Sequence, residues 1–392
     1  MTNAADDRIS TEPSEVGAGL DGKAEISATM QSQIDVEQGF QKLLADFRGR
    51  LEKDLQQWLA EKERVATSES QAAHELTGVL SRFVARDGKR IRPALLYYAY
   101  QACRGQSEEK AMTMAMAVEL LHTYLLIHDD IMDRADTRRG EPAVHVLYAD
   151  LHRQRGWRGE SDRFGDSVAI LLGDLAQSYS VELFSSVEVA PEVATEFQAC
   201  FATMCQEVII GQYLEMTAGY RQGLAEDELL RVLQMKSGRY SVERPVQLGA
   251  LLARAPEAMR SGLTQYGSKI GEAFQLQDDL LGMFGDVAKV GKPVGSDLVE
   301  GKFTILVHHA LSALSPADRE VLSAALGNSE LSDEQIVACQ RLIEASGARE
   351  KVETMIEERM EDARAALGDL DLEESGAEFL EGVIDYLRGR NR

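Results

Sequence analysis

Along most of this chain, apolar residues recur every three to four positions. The pattern runs almost unbroken from about residue 35 to 390, the period expected of helices buried along one face. No alternating apolar–polar stretch of strand length interrupts it, no fixed-period repeat is present, and Pro is scarce at 8 residues. A chain of 392 residues would by length suggest two or three domains. The uniform periodicity instead predicts an all-α fold: a single large helical bundle around a central cavity, spanning 34–392.

Residues 1–33 depart from the pattern. They are polar and acidic with few large apolar side chains, too little to offset ordering entropy, so a disordered N-terminal tail is expected. A helix is expected from Val36, with Phe40, Leu43, Leu44, Phe47, Leu51, Leu55 and Leu59 along one face. GKRIRP (88–93) breaks the next run, and Pro93 suits the first turn of a new helix whose free N–H groups favour an anion. Residues 151–165, charged and Gly-containing with one Trp, predict a surface loop. A helix from about Val168 carries Gly173 and Asp174, and Pro191 opens another. Gly and Pro punctuate 286–302 into a loop, and from 303 onward acidic-faced helices read as packing.

Composition narrows the partners. A net charge of −23 argues against nucleic acid and anionic membranes. The four cysteines (Cys103, Cys200, Cys205, Cys339) form no CxxC pair and read as core thiols of a reducing compartment. With no signal-like N-terminus and no charge-free apolar run of 18 residues, a soluble cytoplasmic protein without stable membrane insertion is expected.

Against this acidic background, one stretch carries chemistry: HTYLLIHDDIMD (122–133), followed by Arg138, Arg139 and Gly140. On a helix Asp129 and Asp133 share a face, while Asp130 points about 100° away. Two carboxylates at the mouth of an apolar helix are costly to bury without a cation, and hard oxygen donors suit Mg²⁺. Taken alone, the motif reads equally well as a solvated helix end. A second stretch, FQLQDDLLGMFGD (274–286), again sets an Asp pair, Asp278 and Asp279, on an apolar run. Seven basic residues, Lys89, Arg92, Arg138, Arg139, Lys236, Lys292 and Lys302, flank the two motifs. Metal on one side and cations on the other describe a site for two anionic substrates.

GKRIRP, HTYLLIHDDIMD with RRG, GQYLE (211–215), KSGRY (236–240), FQLQDDLLGMFGD and GKPVGSDLVEGK (291–302), in this order, strongly resemble the polyprenyl diphosphate synthases. The resemblance implies a homodimeric Mg²⁺-dependent prenyltransferase that ionises an allylic diphosphate and condenses the cation with isopentenyl diphosphate. By position, Lys89, Arg92, His122 and Arg139 look like isopentenyl diphosphate ligands. Asp129, Asp133 and Asp278 look like ligands for three Mg²⁺ ions, and Arg138, Lys236, Lys292 and Lys302 like partners of the allylic diphosphate. Ser237 keeps the hydroxyl of a frequent Thr, and Gln275 stands where the family has an allylic-site amide.

Two positions depart from the family. The second motif ends in Gly282 where many relatives have Asp, and Asp286 is roughly 12 Å further along a helix. Glu215 replaces a common Asp. A terpene cyclase would not need GKRIRP, and a non-catalytic partner subunit would be expected to lose ligands that are all present here. For product length, the resemblance points to Tyr124 as the chamber floor, with Leu125 and Leu121 nearer the Asp129 face. An aromatic there and an uninterrupted first motif favour geranylgeranyl diphosphate (C20), with farnesyl diphosphate (C15) as the alternative.

Overall fold

The computed structural model describes residues 21–218, 220, 221, 224–285 and 295–389, with side chains from 38 onward. Helix α1 (Asp21–Glu69) presents the expected face: Phe40, Phe47, Leu51, Leu55 and Leu59 are all buried. It begins earlier than periodicity suggested, inside the 1–33 tail. Seven of the fifteen residues from 21 to 35 (two Ala, two Gln, one Lys, one Glu and one Met) are good helix formers, so composition alone does not account for this early start. Residues 1–20 lie outside the described part.

Polar caps start several later helices. In α2 (Gln71–Ala85) the Ser70 hydroxyl accepts from Ala73 N, and in α4 (Glu108–Met132) Ser107 does the same for Lys110 N. Between them, α3 (Ile91–Ala102) carries Pro93 in its first turn, as expected. Arg90, just before it, lines the same cavity as Lys89 and Arg92 but is tied into the turn. It is buried against Glu119 and donates to the carbonyls of Val84 (2.7 Å) and Arg86 (2.9 Å), which fixes the turn.

Two sequence readings need correction. A two-residue hairpin interrupts the helices, β1 (Thr137–Arg138) paired antiparallel with β2 (Glu141–Pro142). Arg139 (φ 55°) and Gly140 (φ 79°) form its tight turn, which needs positive φ at both central residues. Such a short ladder leaves no periodic trace. Likewise the 151–165 loop shrinks to 155–160, because α5 (Val144–Gln154) runs into it and α6 (Ser161–Ser186) starts early. Both ends are charged because they face solvent, which hid their helicity. Trp157 closes the short loop by packing edge-on to His152 and Phe164.

The chain continues through α7 (Pro191–Ala218), α8 (Glu226–Leu233), a π-helix (Gln234–Glu243), α9 (Arg244–Leu252) and α10 (Glu257–Phe284). The short α11 (Ser296–Val299) follows, then α12 (Ile305–Ala313), α13 (Pro316–Ala325), α14 (Asp333–Ala345), α15 (Ala348–Gly368) and α16 (Glu374–Gly389). Helix α4 packs on α3 and α6, and α10 on α9, the π-helix and α15, so both acidic motifs sit on central helices. Length and composition alone would let α4 cross a membrane, but 72% of its apolar window is buried inside the protein. It is a core helix.

Candidate active site

Helix α4 ends where its chemistry begins. Asp133 is its C-terminal cap, so Asp129 lies one turn inside. Gln212 on α7 donates to Asp129 Oδ1 at 3.0 Å, and Arg138 Nη2 lies 3.8 Å from Oδ2. Desolvation in the cleft, reinforced by the Asp129 charge, pushes the Asp133 carboxyl up to about 6, although its side chain still reaches solvent at the mouth. Asp130 points away, as helical geometry requires. It is 1% exposed and clasps Arg138, whose Nε donates to Oδ1 at 2.7 Å. The hairpin makes that clasp possible by turning Arg138 and Arg139 back toward α4. Arg86 holds the hairpin in place, donating to Pro142 O (3.0 Å) and Arg138 O (3.3 Å). No motif had singled out Arg86.

The basic residues divide between two spaces. Lys89, Arg92, His122 and Arg139 line one cavity of about 560 Å³, beneath the start of α3. Arg92 Nη1 lies 3.3 Å from His122 Nε2, and His122 Nδ1 lies 2.9 Å from the Tyr240 hydroxyl. Arginine cannot accept, so Nε2 accepts from it, and Nδ1–H donates to the Tyr240 oxygen. Burial, with Arg92 and Arg139 nearby, holds the imidazole pKa well below its usual range, so His122 is neutral. The Arg92 guanidinium also stacks 5.0 Å from the Tyr240 ring centroid. Tyr240 is therefore a positioning residue that KSGRY contained but spacing did not reveal. Lys89 lies over the Tyr386 ring of α16, so the C-terminal helix, read as packing, touches a side chain of this cavity.

The second space is a narrow cleft of about 50 Å³ lined by Glu215, Lys236, Ser237, Gln275, Asp279 and Lys302. Lys236 and Ser237 project from the π-helix, a wide turn often found at functional sites. Gly211 permits it: a Cβ there would lie 2.5 Å from Lys236 Cα. Lys236 pairs with Glu215, and Lys302 with Asp297 (3.2 Å) and Glu300 (2.8 Å). Although burial opposes its charge, Asp297 and Glu300 keep Lys302 firmly protonated. Gln275 donates to Asp279 Oδ1 at 2.9 Å, and burial pushes that carboxyl far above the usual range. Lys236 and Lys302 both act on the Asp133 carboxyl, so this cleft and the first motif share one neighbourhood. Helix α10 divides the two spaces: Phe274 lines the cavity and Gln275 the cleft.

Asp278 is half-buried on α10 in the same region. Lys292 and Asp286 lie outside the described residues. Tyr124, partly buried, contacts the His128 ring (centroids 4.7 Å) beneath the first motif, Leu125 is partly buried, and Leu121 is fully buried. Asp129, Asp133 and Asp278 are hard oxygen donors of the kind a divalent metal takes, and the cost of charging Asp133, desolvated and beside Asp129, is what a cation there would offset. Glu226, His308 and His309 also bring ligand atoms within 4.8 Å of one another. There, however, Lys351 Nζ donates to His309 Nδ1 at 3.1 Å, so Nε2 carries the proton and offers no lone pair.

Comparison with known proteins agrees with this arrangement. Residues 73–343 match the polyprenyl synthetase family. A short chain isoprenyl diphosphate synthase of Methanocaldococcus jannaschii is 39% identical over 259 residues, 66% of this chain and 73% of that protein. A (2E,6E)-farnesyl diphosphate synthase of Mycobacterium tuberculosis is 36% identical over 265 residues, 67% of this chain and 68% of that one. In structure, a geranylgeranyl pyrophosphate synthase of Corynebacterium glutamicum, complexed with isoprenyl diphosphate and magnesium, superposes with a TM-score of 0.83. It is 33% identical and covers 88% of this chain and 99% of its own. The all-helical bundle, the two acidic helices and the flanking cations thus have a family, and this chain belongs to the polyprenyl synthetases.

Proposed function

We propose that this chain condenses isopentenyl diphosphate with an allylic diphosphate and that geranylgeranyl diphosphate (C20) is its main product. The observation that carries this reading is the division of cations by α10. A basic cavity and an acid-and-lysine cleft lie on either side of one helix, which suits two diphosphates with different tasks.

Isopentenyl diphosphate occupies the cavity, held by Lys89, Arg92, Arg139 and neutral His122. The allylic diphosphate occupies the cleft, against Lys236, Lys302 and the arginine that Asp130 orients. The residues Asp129, Asp133 and Asp278 hold Mg²⁺, three ions by family resemblance. Bound Mg²⁺ supplies charge neutralisation of the departing diphosphate. The allylic C–O bond breaks with its electron pair leaving on diphosphate, and Lys236 and Lys302 stabilise that charge as they exchange carboxylate partners for phosphate. The isopentenyl double bond then attacks the cation, and a proton leaves to diphosphate to regenerate an allylic product. The helical walls exclude water, which would quench the cation. Incubation of the purified protein with Mg²⁺, isopentenyl diphosphate and farnesyl diphosphate should give a C20 product by chromatography. A product that stops at C15 from shorter primers favours the farnesyl reading. Tyr124→Ala should lengthen the product while ionisation continues, and unchanged length would remove Tyr124 from the floor.

A second copy of the chain covers the exposed stripe of α6 and α7. Leu171 (60% exposed) and Ile170 on α6 and Ile209, Ile210, Tyr213 (66%) and Met216 on α7 present large apolar side chains to solvent. A closed two-fold pairing buries such a stripe on both copies at once. Light scattering should give a dimer for the wild type and a monomer for Ile209→Asp/Tyr213→Asp.

A further inference from the structure

We propose that Arg86, the cap that ends α2, is a positioning residue for both diphosphate spaces, acting through the hairpin that follows α4. The hairpin has two residues in each strand, too few to hold its shape in water without outside support. Arg86 supplies that support across both strands. Its guanidinium donates to Arg138 O on β1 (3.3 Å) and to Pro142 O on β2 (3.0 Å), and Nε lies 3.0 Å from Glu141 Oε2. The rigid fork of an arginine spans two strands in this way, where the single ammonium of a lysine would reach one. The guanidinium also rests 4.8 Å from the Phe83 ring centroid, and the side chain is only 8% exposed.

What the hairpin carries gives this contact its consequence. Arg138 and Arg139 are consecutive, yet Arg138 turns to Asp130 and Asp129 while Arg139 lines the basic cavity. The positive φ of Arg139 (55°) opens the tight turn and separates the two directions. Arg139 then returns to the same anchor, since its Nη1 donates to Arg86 O at 3.3 Å. That carbonyl also accepts from Arg90 Nη2 at 2.9 Å, which ties it to the turn before α3. Gly88 leaves room for the arrangement, because a Cβ there would lie 2.9 Å from Arg139 Cζ. The side chain of Arg86 thus sets the hairpin, and its carbonyl sets one of the two guanidiniums that the hairpin presents. A displaced hairpin would move both at once.

This inference rests on the assignment of one diphosphate to each space, and the test keeps the two apart. Steady-state kinetics of the full chain with Mg²⁺ are measured with isopentenyl diphosphate and geranyl diphosphate varied in turn, and folding is followed by circular dichroism. If the wild type forms no product from these two diphosphates, the functional reading itself fails. Arg86→Met should raise both KM values about tenfold, the worth of one to two hydrogen bonds. Arg86→Lys, which keeps the charge but reaches one strand, should raise both by a smaller factor, and it decides the matter if the methionine variant unfolds. A general loosening of the fold would act whatever else is missing, so additivity is the discriminating readout. In an Arg139→Ala background, Arg86→Lys should leave the isopentenyl diphosphate KM unchanged and still raise that of geranyl diphosphate. In an Arg138→Ala background the pattern should reverse. Unchanged KM values in the folded variants, a rise in only one of them, or additive effects in these backgrounds would overturn the proposal and leave Arg86 as a packing contact.

Discussion

The cavity and the cleft hold their cations in opposite ways. In the cavity, Arg92 rests on a neutral imidazole and a phenol ring, Arg139 donates to the Arg86 carbonyl, and Lys89 lies over Tyr386. In the cleft, Lys236 pairs with Glu215, Lys302 with Asp297 and Glu300, and Arg138 with Asp130. In the first arrangement the cavity's own acids, Glu119 and Asp87, pair with Arg90 and Arg48, so Lys89, Arg92 and Arg139 remain as excess positive charge that can receive an anion. The second is balanced by its own acids, so a diphosphate there must arrive with metal ions that take over those acids. On the proposed assignment, a substrate that is only held and a substrate that is ionised call for different electrostatics, and the two spaces differ in that way.

Removing metal ligands should produce the largest asymmetry. Asp129→Ala or Asp133→Ala should lower kcat on the order of 10³-fold, because stabilisation of the departing diphosphate is lost. In Asp129→Ala, the Kd of isopentenyl diphosphate, measured by calorimetry without Mg²⁺, should stay unchanged. An equal loss in the cavity would erase the distinction. The converse effect is smaller. Lys89→Ala or Arg92→Ala should raise the KM for isopentenyl diphosphate roughly 10–100-fold, the worth of one charge-assisted hydrogen bond. The allylic KM should move little, and steady-state kinetics with each substrate varied in turn reads the split.

The finest test concerns His122. Because its folded pKa is depressed, the unfolded chain takes up a proton that the folded chain refuses. This contribution to stability is therefore present above the unfolded value of about 6.5 and is lost as pH falls through it. Thermal melting of the wild type should fall more steeply across that range than melting of His122→Gln. The imidazole signals of His122 should show no titration near 6.5. Tyr240→Phe, which removes the oxygen that receives Nδ1–H, should raise the isopentenyl diphosphate KM only a few-fold.

What could be read from the sequence was whatever lies within one or two helical turns. Phe40, Phe47 and Leu51 announced a buried face by their spacing, and Asp129 and Asp133 a shared one. Helix α1 begins at Asp21, earlier than the apolar spacing announced, since periodicity reports a buried face and not helix formation itself. The ends of α5 and α6 failed for the same reason, since their charges face water. The Arg138–Asp130 clasp depends on a hairpin too short for any pattern. Asp297 lies fifteen positions from Gly282 in the chain and in contact with it in space, a relation that no spacing rule contains. Even Tyr240, inside a recognised motif, acquired a task only when the π-helix set it beside His122.

Helix α4 has a consequence for how the protein is made. Its 25 residues pass by composition for a membrane segment, and α6 and α10, which enclose it and its neighbours, are encoded after it. At ordinary rates of synthesis the ribosome needs on the order of ten seconds to reach α10. For that interval the nascent chain displays an apolar helix covered only in part, by α3 and the other helices made around it, and open to chaperones and to membrane-targeting factors alike. Slowing translation between codons 133 and 284 should therefore raise the fraction lost to aggregation, while the same pause placed after 284 should not.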